Sequence, residues 1–140
     1  MQERERLLEI EDLKVEYITD SGVVHAVNGV SFGLDHGEII GIVGETGAGK
    51  TTIALSIMRL LQTPPARMAG GSIRLGGTDI LKESKKNMRQ IRGKKVSMIF
   101  QDPMTALNPL ETVGAQVEEV ILIHEKLSRV DARKKAVEIL

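Results

Sequence analysis

The stretch Glu38-Ile-Ile-Gly-Ile-Val-Gly-Glu-Thr-Gly-Ala-Gly-Lys-Thr-Thr52 decides how this chain is read. Ile39 to Val43 is an apolar run with the length of a buried strand. Gly44-x-x-x-x-Gly49-Lys50-Thr51 follows at once, and the helix-forming run Ile53 to Leu61 comes next. This is a phosphate-binding loop pattern in the strand–loop–helix setting that the pattern requires. Gly44, Gly47 and Gly49 leave the backbone free to curl around an anion with its N–H groups inward. A helix starting near Lys50 adds its positive N-terminal end. The pattern gives Lys50 the β- and γ-phosphates, Thr51 a magnesium coordination position and Thr52 a phosphate oxygen. A glycine-rich turn with a coincidental lysine is the bland alternative, and the complete pattern in its proper context is too specific for it.

The whole chain sets bounds on the rest. Its 140 residues make one domain's worth of core. An apolar share of 41% with 27% charged residues is that of a soluble globular protein. Nineteen basic and nineteen acidic side chains cancel, so bulk charge gives no reason to expect nucleic acid. The basic stretch Lys82 to Lys95 has no interleaved aromatics and reads as a solvated face. With no cysteine there are no disulfides or thiolate metal sites, and His25, His36 and His124 show no metal-ligand spacing. The charged start, Met1-Gln-Glu-Arg-Glu-Arg6, does not suit a signal peptide, and no apolar run reaches a membrane-spanning length. A cytosolic chain is expected, reaching a membrane only through a partner. The only aromatics are Tyr17, Phe32 and Phe100, so the core must be aliphatic.

Taken in order, Leu7 to Tyr17 reads as a strand broken near Glu11-Asp12. Thr19 to Gly22 is a turn, and Val23 to Leu34 is a second strand with a bulge at Asn28-Gly29. A small antiparallel β layer therefore precedes the loop. Gln62 to Gly71 reads as a connection, and Ser72 to Leu81 as a hairpin turning on Gly76-Gly77. Ser84 caps a short helix through Arg92 in which Met88 and Ile91 share a face. Lys95 to Phe100 reads as a strand, stopped by Pro103 after Gln101-Asp102. Thr112 caps a helix with Val113, Val117, Val120, Ile121 and His124 on one face. Ser128 opens a last helix that aligns Ala132, Ala136, Ile139 and Leu140, and the sequence ends there without a C-cap.

These features together resemble the nucleotide-binding domain of ATP-binding cassette (ABC) transporters, and more narrowly the ATP-binding subunit of bacterial dipeptide/oligopeptide importers. The resemblance covers essentially the whole chain. It rests on the phosphate loop, on Tyr17, on Phe100-Gln101-Asp102-Pro103 as a glutamine loop, and on Gln101-Asp-Pro-Met-Thr-Ala-Leu-Asn-Pro109 with the Arg89 to Phe100 segment before it. It implies that Tyr17 stacks on adenine and that Gln101 positions magnesium or the attacking water. The implied nucleotide-binding set is Tyr17, Gly44, Glu45, Thr46, Gly47, Ala48, Gly49, Lys50, Thr51, Thr52 and Gln101, with Thr51 and Gln101 toward the metal. The implied cofactors are ATP and magnesium.

The expected fold is an α/β P-loop NTPase fold of ABC type, truncated. An ATP-binding core of β layer and P-loop elements would span residues 1–101, and residues 102–140 would begin the helical subdomain. The family's signature loop, Asp-Glu strand and switch histidine do not occur in this sequence. The chain is thus expected to be the N-terminal part of a longer subunit, with no catalytic glutamate of its own and little or no turnover. The resemblance further implies a permease contacted through residues near 102–119, and a second ATP-binding domain across a nucleotide sandwich. It places the subunit on the cytoplasmic face of the membrane. The rival readings are a non-catalytic truncated module and another P-loop enzyme such as a small kinase. The β layer before the loop and Gln101-Asp-Pro103 disfavour the kinase.

Overall fold

The computed structural model describes residues 6–102 and 107–140. The chain divides into two compact units, Met1–Glu83 and Ser84–Leu140.

The first unit is built on strands β1 (Arg6–Thr19) and β2 (Gly22–Asp35), which form a long antiparallel hairpin. β3 (Ala66–Leu75) pairs with the other edge of β1, and β4 (Thr78–Asp79) extends the sheet to the order β2-β1-β3-β4. Alternation puts Leu13 and Val15 on the covered face of β1, both fully buried, and Ile10 and Ile73 join them. The break near Glu11-Asp12 is present as a register shift between Ile10 and Leu13, with Asp12 at φ 45°. The bulge also falls where expected. Leu13 pairs with Val30 and Lys14 with Asn28, so Gly29 is the extra residue, at φ 77°. The Gly76-Gly77 turn joins β3 to β4 with φ of 52° and 75°, which suits a two-residue hairpin between twisted strands.

Two expectations about strands are overturned in this unit. β3 starts at Ala66, where a connection through Gly71 was expected, and Tyr17 pairs with Ala66. Ile39 to Val43 forms no strand and is not buried: Ile39 is 97% and Val43 94% exposed. A strand with apolar side chains on both faces needs a paired neighbour on each edge and cover above and below. Among the described residues none pairs with 39–43. Helix α1 (Lys50–Met58) then stops earlier than Leu61, because Arg59 takes a left-handed conformation and its N–H closes onto Leu55 and Ser56. The Arg59 guanidinium also donates to the carbonyls of Ile80 and Glu83, at 3.1 and 2.5 Å, tying the end of α1 to the segment after β4.

The second unit is helical. α2 (Lys85–Ile91) begins at Ser84, whose hydroxyl accepts the Asn87 N–H, and it buries Met88 and Ile91. α3 (Val113–His124) begins at Thr112, whose hydroxyl accepts the Ala115 N–H. α4 (Arg129–Ile139) begins at Ser128, whose hydroxyl accepts the Asp131 N–H. All three N-caps are those read from the sequence. α3 and α4 pack through Ile121, Ala132 and Ala136, with Val117 and Leu122 against them. Val113, Val120, Ile139 and Leu140, expected on the packed faces, are exposed instead. The two alanines bring the helices close, and a close contact covers only a narrow stripe. The strand expected at Lys95 to Phe100 is absent. Val96 makes one isolated bridge to Arg92, and Ile99 is 96% exposed.

Candidate nucleotide phosphate site

Residues Gly44 to Ala48 lie in an exposed loop between the 39–43 segment and α1. The Ala48 N–H closes a turn onto the Glu45 carbonyl at 3.2 Å. Gly47 and Gly49 hold φ of 85° and 81°, the left-handed region that a side chain resists. Gly49 has a second reason to be glycine. A Cβ there would lie 2.4 Å from the Ala26 carbonyl oxygen, so the loop's exit is pressed onto β2 at Ala26-Val27. Sequence reasoning did not find this support, because the pattern shows that a glycine is needed and not which strand it packs on.

Gly49 is the N-cap of α1, and it offers no side-chain hydrogen bond to the first turn. That turn, Lys50-Thr51-Thr52, carries no acidic residue. The helix's positive end therefore carries neither a side-chain cap nor an acidic residue in its first turn. The Lys50 ammonium donates to the carbonyls of Gly44 and Glu45, at 2.7 and 2.6 Å. It thus folds back over the loop opening. Thr51 is exposed and Thr52 half-buried. An anion with several oxygens fits this donor set of backbone N–H, ammonium and hydroxyl.

Tyr17 belongs to the same unit and is half-buried. It follows Val15 by two positions on the same face of β1, with Val24 opposite on β2 and Ala66 on β3. Val15 is paired with Val27, whose methyl lies against Gly49. Tyr17 is thus about 7 Å along the strand from the level at which the phosphate loop meets the sheet. Gln101 lies in the second unit, exposed, in a bend. Pro103, Met104, Thr105 and Ala106 of the run Gln101 to Pro109 lie outside the described residues. No helix among the described residues is long and apolar enough to cross a membrane.

A glycine loop at the start of a helix, after a β layer, is the arrangement of a P-loop site, and residues 27–139 match the family described as "ABC transporter". The chain belongs to that family. It is 48% identical over 135 residues to the oligopeptide transport ATP-binding protein OppD of Bacillus subtilis, covering 96% of this chain and 38% of the relative. It is also 48% identical over 136 residues to the dipeptide transport ATP-binding protein DppD of the same organism, covering 97% of this chain and 41% of the relative. The chain therefore spans about two fifths of the length of these relatives. Among solved structures it is similar to a dimeric ATP-binding cassette, MJ0796, in a post-hydrolysis state bound to ADP and Pi. That match has a TM-score of 0.74 at 22% identity and covers 94% of this chain and 54% of the other. The fold is accordingly the α/β ABC type expected from the sequence.

Proposed function

We propose that this chain is the phosphate-binding part of the ATP-binding subunit of a peptide importer. The observation that carries this reading is the uncapped, acid-free start of α1 at Gly49, with the Lys50 ammonium over the loop opening. Gly44, Glu45, Thr46, Gly47, Ala48 and Gly49 would cradle the phosphates through backbone N–H groups. Lys50 and Thr52 would bind their oxygens, and Thr51 would hold magnesium. Tyr17 would stack on the adenine ring from the adjoining face of β1, at a separation that a ribose and its first phosphates can bridge. Gln101 would position magnesium or the attacking water. Residues 1–101 would form the ATP-binding core, and residues 102–140 would open the helical subdomain. The segment 102–119 would meet a membrane permease, and a second ATP-binding domain would close the site, on the cytoplasmic face.

In this reading the isolated chain binds Mg-ATP weakly and does not hydrolyse it. Titration with Mg-ATP and phosphate release at saturation test both halves. Lys50→Ala should weaken binding at least about tenfold, since charge-assisted hydrogen bonds to phosphate are lost. No binding by the unsubstituted chain would sink the site assignment. Turnover that disappears in Lys50→Ala would sink the claim of inactivity. A second reading, a non-catalytic module that seats on a partner subunit, draws on the exposed Ile39 and Val43. Co-purification with a permease independent of ATP would favour it.

A further inference from the structure

One position before Tyr17, on the opposite face of the sheet, a charged cluster spans three strands. The Glu16 carboxylate receives the Arg67 guanidinium of β3 at 2.5 and 3.2 Å, and His25 Nδ1 of β2 lies at 3.2 Å from its other oxygen. Both partners are Glu16's direct register neighbours. The Glu16 side chain is only 13% exposed, while those of Arg67 and His25 are 62% and 61% exposed, so the guanidinium and the imidazole roof it over. The hydrogen bond from Arg67 is the leading reason that the Glu16 carboxyl sits below the usual glutamate range.

The next rung of both ladders is Tyr17, between Val24 and Ala66. Beyond it β1 ends at Thr19, which pairs with Gly22 across the hairpin turn, and the Ile18 N–H reaches the Pro65 carbonyl at 2.9 Å. Tyr17 therefore stands two positions before the end of β1, paired on both sides next to the hairpin turn. Ala66, its neighbour on β3, is small and buried.

We propose that Glu16 is a positioning residue for base recognition: by joining β2 and β3 through His25 and Arg67, it fixes the strand end that presents Tyr17. This rests on the reading of Tyr17 as the adenine-stacking residue. The ion pairs cannot touch a nucleotide themselves, because they lie on the other face of the sheet. Their effect on binding is expected at the base, through Tyr17, which is the next residue on β1.

The experiment compares binding of Mg-ATP with binding of magnesium tripolyphosphate, which keeps the phosphates and lacks the base. It uses the whole chain and the variants Glu16→Gln, Arg67→Lys, Tyr17→Ala and the double variant Glu16→Gln/Tyr17→Ala. Tyr17→Ala should weaken ATP about 5- to 150-fold and leave tripolyphosphate unchanged, as loss of one stacking contact implies. Glu16→Gln should weaken ATP about three- to tenfold, again sparing tripolyphosphate, and add nothing to Tyr17→Ala in the double variant. Arg67→Lys, which keeps the charge but not the paired guanidinium donors, should weaken ATP about two- to threefold while sparing tripolyphosphate, and serves if Glu16→Gln does not fold. If Tyr17→Ala weakens ATP while Glu16→Gln and Arg67→Lys match the unsubstituted chain, the proposal fails and the stacking role stands. Equal weakening of both ligands by Glu16→Gln also overturns it, since that is general damage to the sheet. If Tyr17→Ala leaves ATP unaffected, or the unsubstituted chain binds neither ligand, the nucleotide reading falls and takes the proposal with it.

Discussion

At the residue scale the tightest demands fall on glycines pressed against another strand's carbonyl. Gly71 holds φ 87°, and a Cβ there would stand 2.5 Å from the backbone oxygens of both Glu11 and Asp12. Gly71→Ala must either move β1 away or twist β3, at about 1–3 kcal/mol, and should lower the thermal midpoint. Gly49→Ala meets the Ala26 carbonyl in the same way, but it also displaces the loop. It should lose tripolyphosphate binding as well as stability, and comparing the two variants separates site from scaffold. Two carboxylates add a pH term. Arg67 hydrogen bonding, opposed by desolvation, leaves Glu16 below its ordinary value, and the hydrogen bond from Lys82 does the same for Asp79, helped by the Leu81 N–H. A carboxyl whose folded pKa is depressed takes up its proton more readily unfolded. It therefore stabilises fully above the ordinary carboxylate range, and that contribution is lost as pH falls through the folded value. The melting temperature should drop from about pH 5 to pH 3, less steeply in Glu16→Gln. A flat profile would mean that the ion pairs contribute nothing.

At the element scale the helices of the second unit were legible because their start signals are local. Ser84, Thr112 and Ser128 each sit one position before the helix, and each hydroxyl accepts an N–H of the first turn. Ser128→Ala removes the cap of α4 and should cost about 1 kcal/mol, seen as faster amide exchange in Arg129–Ile139 with the first unit unchanged. The β1–β2 hairpin was legible for a related reason: Thr19 to Gly22 is a local turn, and Gly29 marks its own bulge. The start of β3 was not legible. Arg67-Met-Ala-Gly-Gly71 carries no β-branched residue, and its strand state comes from β1 lending it partners. The phosphate loop could be read residue by residue, since its spacing encodes its chemistry. Its seat on Ala26-Val27 could not, because that contact joins residues over twenty positions apart without any mark in the sequence.

At the scale of the whole molecule, the unexplained feature is an apolar run that behaves as the wrong element. Ile39 to Val43 has the composition of a strand covered on both faces, yet Ile39 and Val43 are almost fully exposed beside the loop that would bind phosphate. Transfer data at about 25 cal/mol per Å² make such exposure of several aliphatic side chains unfavourable by several kcal/mol relative to burial. The pattern therefore asks for strands that the described residues do not supply, and the matched relatives are more than twice as long as this chain. We expect amides 39–43 of the 140-residue chain to exchange near the rate of an unfolded peptide, and the chain to bind an apolar dye. In a chimera that continues after Leu140 with the remainder of the Bacillus subtilis oligopeptide relative, the same amides should slow at least about a hundredfold, and dye binding should fall. A paired strand at 39–43 would also hold the entrance of the phosphate loop, so affinity for tripolyphosphate should rise in the chimera. If the amides stay fast in the longer polypeptide, the apolar run is not a core strand, and the loop reaches its working shape by some other support.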